Sequence, residues 1–384
     1  MGAGTLKPGA EKAGAAGPGR PFDLAIVGTV GVPGRYGGFE TLADQLTQRL
    51  HHDLRLLVCC TRAGRQPPLP ESYLGASLRY FGWDANGWQS IPYDFVSLWH
   101  AAPRSRAVLV LGVSGCMLLP LIRLRAPGTR IVTNIDGLEW KRRKWGRLAR
   151  LVLRASEWFA VHFSDAVVAD NPAIEAHVRN SYGRPSALIY YGGDHIHRSQ
   201  VDVSDVPLRF ARGSYTLGIC RIEPENNVRE ILQAFRTVPG QPLVMVGNWA
   251  ISPYSQALRA EFGMLPNIEL LDPIYEEQRL DALRRGARAY VHGHSAGGTN
   301  PSLVEAMAAG MAVLAYDVDY NRHTTDSQAF YWNSPDDLAR QLQALGPAQL
   351  TSNAAAMTAI AARRYRWSTV TEQYRAVLFP SPGA

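Results

Sequence analysis

The chain has 384 residues, 46% hydrophobic and 19% charged, with a formal net charge of +7. That length exceeds one compact core and suits two domains, and the composition is ordinary for a soluble globular protein. The cysteines (Cys59, Cys60, Cys116 and Cys220) show neither metal-ligand spacing nor a disulfide framework, so they read as small buried hydrophobes in a reducing compartment.

Residues 1–20 are mostly Gly, Ala and Pro, lack the apolar core of a signal peptide, and read as a disordered tail. From there strand-like and helix-like runs alternate, which predicts α/β layering with mainly parallel sheets. Asp23 to Gly28 reads as a strand, Phe39 to Leu50 as a helix and Leu54 to Thr61 as a strand. Leu78 to Gly82, Ala107 to Gly112, Arg130 to Asn134, Ala166 to Ala169 and Ala187 to Tyr191 repeat the buried-strand pattern. The apolar run Ala107 to Ile122 is too short for a bilayer span and is broken by Gly112, Ser114, Gly115 and Pro120. Gln200 to Gly213 is polar and weakly periodic, a linker between domains at 21–199 and 214–350. The second series has strands at Thr216 to Cys220, Leu243 to Gly247, Ile268 to Leu271 and Ala289 to Gly293. Helices alternate with them at Asn227 to Thr237, Pro253 to Phe262 and Glu277 to Arg285. Residues 351–384 read as a helical segment that packs back toward the first domain.

The most informative stretch runs from Gly297 to Gly310, followed by the apolar strand Met311 to Ala315. Pro301 suits the first position of a helix, where a missing N–H costs nothing, and Gly310 suits its end. Backbone N–H groups around residues 299 to 302 form a ready anion site. Glu305, one turn in, lies within reach of ligand hydroxyls held there. A phosphate beside a sugar hydroxyl means a nucleotide; an ordinary α/β crossover with a tight loop explains the same residues. Gly37 and Gly38 precede another helix and admit close approach of a ligand, or simply make a tight turn. The loop Gly28 to Glu40 is not a Gly-x-Gly-x-x-Gly fingerprint, and the second strand ends Cys59-Cys60-Thr61 without the acidic residue of a nicotinamide site. Arg221, at the end of the first strand of the second series, is placed to grip a phosphate or to make a solvated salt bridge.

Together Gly31-Val-Pro-Gly-Arg-Tyr-Gly-Gly-Phe-Glu-Thr41, Asp136-Gly-Leu-Glu-Trp-Lys-Arg142 and His294-Ser-Ala-Gly-Gly-Thr-Asn-Pro-Ser302 resemble a bacterial, rhamnosyltransferase-like subgroup of the retaining family 4 glycosyltransferases. That subgroup carries an N-terminal domain of the DUF1972 type. The resemblance implies a GT-B fold, two Rossmann-like α/β domains facing across a cleft. It also implies a nucleotide-sugar donor held mainly by the C-terminal domain and a saccharide acceptor, lipid-diphosphate-linked, on the N-terminal side.

By that resemblance Arg221 holds the diphosphate and Glu305 accepts from the ribose, as the second glutamate of Glu-x7-Glu. The backbone of Gly298, Thr299, Asn300, Pro301 and Ser302 wraps the donor, with Gly37 and Gly38 opposite. Arg35, Tyr36, Asp136 and Glu139 are acceptor-side candidates, Asp136 also catalytic; capping of the following basic helix accounts equally for Asp136 and Glu139. Two positions depart from the family: the first glutamate falls on Gly297, and the lysine partnering the arginine falls near Asn226. Both favour a deoxysugar donor, dTDP-L-rhamnose, over a UDP- or GDP-hexose. A nucleotide-sugar epimerase on the same fold is the alternative of different reaction class. No Asp-x-Asp appears in a convincing loop, so neither a metal nor a cofactor is expected.

Lys141 to Arg147, continuing to Arg150 and Arg154, is the sharpest charge cluster, and Leu148, Leu151, Val152, Ala155 and Phe159 give the same helix an apolar face. Such a helix lies on an anionic membrane or is simply a solvated face; nucleic acid is a third option without any accompanying module. The expected place of action is the cytoplasm, peripheral to the inner face of the membrane. His195, His197, His292 and His294 lack carboxylates or cysteines at ligand spacing and read as loop histidines near the cleft.

Overall fold

The computed structural model describes residues 19–34, 37–135, 137, 140, 146–196 and 208–381. The expected tail lies almost wholly outside the described residues, as do Arg35, Tyr36, Asp136, Glu139, Lys141 to Trp145 and His197.

The first series of elements is β1 (Phe22–Val27), α1 (Gly38–Leu50), β2 (Leu56–Thr61), β3 (Ser72–Tyr73), β4 (Ala76–Phe81) and α2 (Ser90–Ala101). It continues with β5 (Ser105–Leu111), α3 (Leu119–Arg125), β6 (Arg130–Ile135), α4 (Arg147–Phe163), β7 (Ala166–Ala169), α5 (Pro172–Tyr182) and β8 (Ala187–Leu188). These strands form an eight-stranded sheet in the order β3-β4-β2-β1-β5-β6-β7-β8, parallel except for β3. The register sets Ile26 beside Leu109 and Val58, so alternate residues face opposite layers. Leu24, Ile26, Val58 and Leu109 meet Leu42 and Leu46 of α1 on one face; Ala25, Val27, Val108 and Val110 meet the helices of the other. Cys59 and Cys60, adjacent on β2, are fully buried on opposite faces.

The second series is β9 (Thr216–Ile219), α6 (Val228–Thr237), β10 (Leu243–Val246), α7 (Pro253–Phe262), β11 (Ile268–Leu271), α8 (Glu277–Gly286) and β12 (Ala289–His292). Then come α9 (Pro301–Ala308), β13 (Val313–Tyr316), α10 (Asp319–Thr324), β14 (Phe330–Trp332), α11 (Pro335–Ala344), α12 (Pro347–Arg364) and α13 (Trp367–Leu378). The sheet is fully parallel, in the order β11-β10-β9-β12-β13-β14. In both sheets the strand order reverses beside the first strand, the place where open α/β sheets bind ligands at their carboxyl ends.

Local chemistry explains several boundaries. Helix α5 is capped by Asn171, whose side chain accepts from the Ala173 N–H, carries Pro172 in its first turn and ends on a left-handed Gly183. The strand read over Ala187 to Tyr191 is only two residues long, because the chain leaves the sheet edge there for the second domain. Of the segment read as a linker, Leu208 and Phe210 pack onto the second domain, and residues 200–207 lie outside the described set. Helix α13 returns to the first domain, where Trp367, Val370 and Tyr374 complete its core and the Tyr374 hydroxyl accepts from Asn134 Nδ2 at 2.6 Å. Among the described residues no helix is long and apolar enough to cross a membrane.

Candidate active site

A cleft of about 420 Å3 opens between the carboxyl ends of the two sheets. Two helix starts face each other across it: that of α1 after Gly37 and that of α9 after Asn300. They come close, since a Cβ on Gly38 would lie 3.4 Å from Pro301 Cγ and 3.3 Å from the Tyr191 hydroxyl.

On the second domain, Pro301 occupies the first turn of α9, and the Asn300 side chain accepts from the Ser302 N–H at 3.0 Å and from its hydroxyl at 2.8 Å. The Ser302 amide is therefore committed to the helix's own cap. Thr299 donates its hydroxyl to the Asp170 carbonyl at 2.5 Å, which ties the loop to the first domain. Gly298 sits against the Asp170 carboxylate so tightly that any Cβ would collide with it. Gly310 follows the helix with φ of 77°, the left-handed geometry its residue type suggested.

Glu305 is largely buried at the cleft wall and carries two partners that its sequence neighbourhood does not announce. Its Oε2 pairs with Arg284 of α8, and its Oε1 lies 3.4 Å from His195 Nε2. Burial alone pushes the Glu305 carboxyl up, but the Arg284 guanidinium and the His195 bond outweigh it and hold the group below the ordinary glutamate range. Arg284 is itself buried and also faces Asp281 at 3.6 Å. The Trp367 indole N–H donates to His195 Nδ1 at 2.9 Å. An indole can only donate, so Nδ1 is the acceptor and the proton of a neutral His195 sits on Nε2, toward Glu305.

Arg221 follows β9 and reaches into the cleft, with Glu223 at 3.7 Å and its side chain 43% exposed. Asn226, where the resemblance expects a lysine, is buried: its Nδ2 donates to the Arg221 carbonyl at 2.7 Å and its Oδ1 pairs with His294 Nδ1 at 2.8 Å. It shapes the Arg221 turn and adds no charge. Gly297, with φ of 134°, passes over the His294 ring, so no side chain stands where the family's first glutamate would be.

On the first domain, Gly37 caps α1 with φ of 124° and no side chain of its own. Glu40 folds back over the preceding loop, accepting from the Val30 N–H at 3.0 Å and the Thr29 hydroxyl at 3.4 Å. Burial pushes its carboxyl up, against those hydrogen bonds and the attraction of Arg221 across the cleft. Glu40 and Arg284 are site residues that sequence reading did not single out, and His195 was read only as a loop histidine near the cleft. Glu40 stood within the quoted glycine motif; Arg284 and His195 carried no local signal.

Of those four histidines, the three among the described residues separate. His195 joins the site, and His294 lies under the Gly297 loop. His292 is buried in β12, where burial lowers its ring to about 3 and keeps it neutral; it is a core strand residue, not the loop histidine expected. The acceptor-side candidates Arg35, Tyr36, Asp136 and Glu139 fall outside the described residues, but Trp140 next to them is held, its indole donating to buried Glu157 at 3.0 Å.

The family model "Domain of unknown function (DUF1972)" matches residues 22–194, and "Glycosyl transferases group 1" matches residues 208–352. No curated protein sequence matches the chain. Among solved structures, sucrose-phosphate synthase from Thermosynechococcus elongatus superposes with a TM-score of 0.76 at 15% identity, covering 94% of this chain and 100% of that one. The trehalose-6-phosphate phosphatase N-terminal domain from Candida albicans gives 0.68 at 11% identity over 96% and 98%. The α,α-trehalose 6-phosphate synthase from Burkholderia multivorans gives 0.66 at 12% over 94% and 98%. The two matched domains, their facing parallel sheets and the cleft between them make this chain a GT-B glycosyltransferase of group 1 with a DUF1972-type N-terminal domain.

Proposed function

We propose that the chain transfers a deoxyhexose, L-rhamnose from dTDP-L-rhamnose, with retention, to a lipid-diphosphate-linked saccharide of cell-surface polysaccharide at the inner face of the cytoplasmic membrane. The observation that carries the donor half is the Glu305 constellation. A carboxylate held ionised by Arg284 and His195, one turn inside a helix that opens on the cleft, still has lone pairs to accept a ribose hydroxyl. With a 2′-deoxyribose only the 3′-hydroxyl is on offer.

Chemistry at C1 then requires little proton machinery, because a diphosphate is already a good leaving group. The barrier falls when charge gathering on its oxygens is met by prepositioned donors. Arg221 and the loop before α9 face that position, and the proposal needs no metal because they supply the positive field. Retention follows if the acceptor hydroxyl attacks from the leaving-group face and gives its proton to the departing phosphate. The bare backbone at Gly297 favours a sugar with fewer polar demands than glucose or mannose.

Calorimetry with dTDP, UDP and GDP, without metal, tests the reading. Selective dTDP binding that weakens at least about tenfold in Glu305→Ala, a loss of about 1.4 kcal/mol, is the expected result. Preference for UDP or GDP keeps the transferase and replaces the sugar with a hexose. Turnover of a nucleotide sugar with no acceptor present marks an epimerase. Binding of none of the three overturns the nucleotide site.

A further inference from the structure

Helix α4 has two apolar faces. Leu153, Ala160 and Val161 point into the first domain and are buried. On the opposite side, Leu148 is 75% exposed, Leu151 66% and Trp158 44%, at a spacing that puts them on one stripe of the helix. Neighbouring α3 repeats the arrangement: Leu119 and Ile122 are buried, whereas Leu121 is 48% and Leu124 80% exposed. The two helices lie side by side, joined by Arg123 Nε donating to the Phe163 carbonyl at 2.8 Å. Leu119 and Ile122 of α3 and Ala160 and Val161 of α4 enter the same core, so the outer stripes look away from it together. Single exposed leucines need no explanation, but four on the outer sides of two adjacent helices, spread along the length of α4, give this side of the domain an apolar character that water does not favour.

Charge narrows the occupant. Arg123 is paired with Asp165 at 2.9 Å, and the two helices further carry Arg125, Arg147, Arg150 and Arg154 against one acidic residue of their own, Glu157, which is buried. A second copy of the chain docking through this face sets cations against cations. An anionic lipid surface accepts both the arginines and the leucines, with Trp158 at the depth where indoles settle. The cleft lies on the other side of α4, where the inward-facing Leu153 lines it, so the outer stripe is free while the cleft stays open.

We propose that the outer faces of α3 and α4 seat this protein on an anionic bilayer, with Leu121, Leu124, Leu148 and Leu151 entering the headgroup boundary. Docking stands on this surface alone; it rests on the transferase reading only for its purpose, which is to set the cleft at a fixed height for a lipid-linked acceptor. Neither helix crosses the bilayer; α4 lies in its plane.

Flotation of the full chain with phosphatidylcholine vesicles, alone or with about 30% phosphatidylglycerol, decides the matter. Binding is expected only with phosphatidylglycerol and is expected to weaken at least about tenfold in Leu124→Ser/Leu148→Ser/Leu151→Ser. The single variant Leu124→Ser, altered at the most exposed of these side chains, serves if the triple variant melts early. No binding to either vesicle, equal binding to both, or undiminished binding by the leucine variants overturns the proposal. So does a wild-type dimer in light scattering that the leucine changes disperse without any vesicle binding. Nucleotide calorimetry on the same samples separates the two readings: vesicle binding without nucleotide binding sinks the transferase and leaves the docking surface standing.

Discussion

The two helix starts that face each other across the cleft solve one problem in opposite ways. Both follow a glycine-containing loop, and both carry a largely desolvated glutamate near their start, Glu40 in the first turn of α1 and Glu305 just beyond the first turn of α9. At α9 the cap is built in, through Asn300, and Glu305 is held ionised because Arg284 supplies a cation inside the protein. At α1 the cap is a bare glycine, and Glu40 has backbone and hydroxyl donors but no bonded cation, so burial wins and raises its carboxyl. Desolvation acts on both carboxyls, yet their protonation tendencies are opposite, decided by the Arg284 guanidinium and the His195 bond at Glu305. Desolvation is the common term; the partner sets the sign.

The largest test of that contrast is Arg284→Met, which leaves Glu305 buried without its cation. Unfolding in urea at neutral pH is expected to show a loss of about 3–5 kcal/mol, the usual cost of breaking a buried pair from one side. A loss below about 1 kcal/mol would show that Glu305 leans on His195 instead. The caps come next. Gly37→Ala places a Cβ at φ of 124° and against the Glu40 carboxylate, and is expected to cost about 1–3 kcal/mol by the same measurement. Asn300→Ala, which only uncaps α9, is expected to cost about 1 kcal/mol.

The smallest effect is a difference in pH dependence. Glu305 titrates below its unfolded range, so its contribution is full above that range and disappears as the pH falls through the folded value. The stability gap between wild type and Glu305→Gln should therefore close on acidification. Glu40 titrates above its unfolded range, so the native state holds its proton longer and loses stability as pH rises from the unfolded value to the folded one. Against Glu40→Gln, wild type should lose ground as pH rises through that window. Parallel curves for the two variants would mean that the carboxylates share one environment.

Much of the cleft wall around α9 was readable in the sequence. Pro301 and Gly310 are where helix-end chemistry puts them, and the strand after Met311 is buried as its apolar run implies. The four acidic and basic groups that organise the wall were less evenly legible. Arg221 and Glu305 stood out because they sit at a strand end and in the first turns of a helix, places with a local grammar. Arg284 looks like any other cation near the end of a surface helix, and His195 like any loop histidine. Their partners are 21 and 110 residues away, and nothing local encodes such a meeting. Helix α4 shows the same limit differently. Periodicity reveals an apolar stripe at Leu148 and Leu151, and it is the other stripe, around Leu153 and Ala160, that the core takes.

Alternation of apolar runs with helix caps and glycine stops was enough, by itself, to determine two α/β domains and the loop that opens α9, because those features depend on neighbours within a few residues. Which stripe of α4 meets water and which carboxylate of the cleft keeps its charge were decided only in the tertiary structure. Burial and the distance between charges are properties of the packed chain, and a side chain's free energy depends on both.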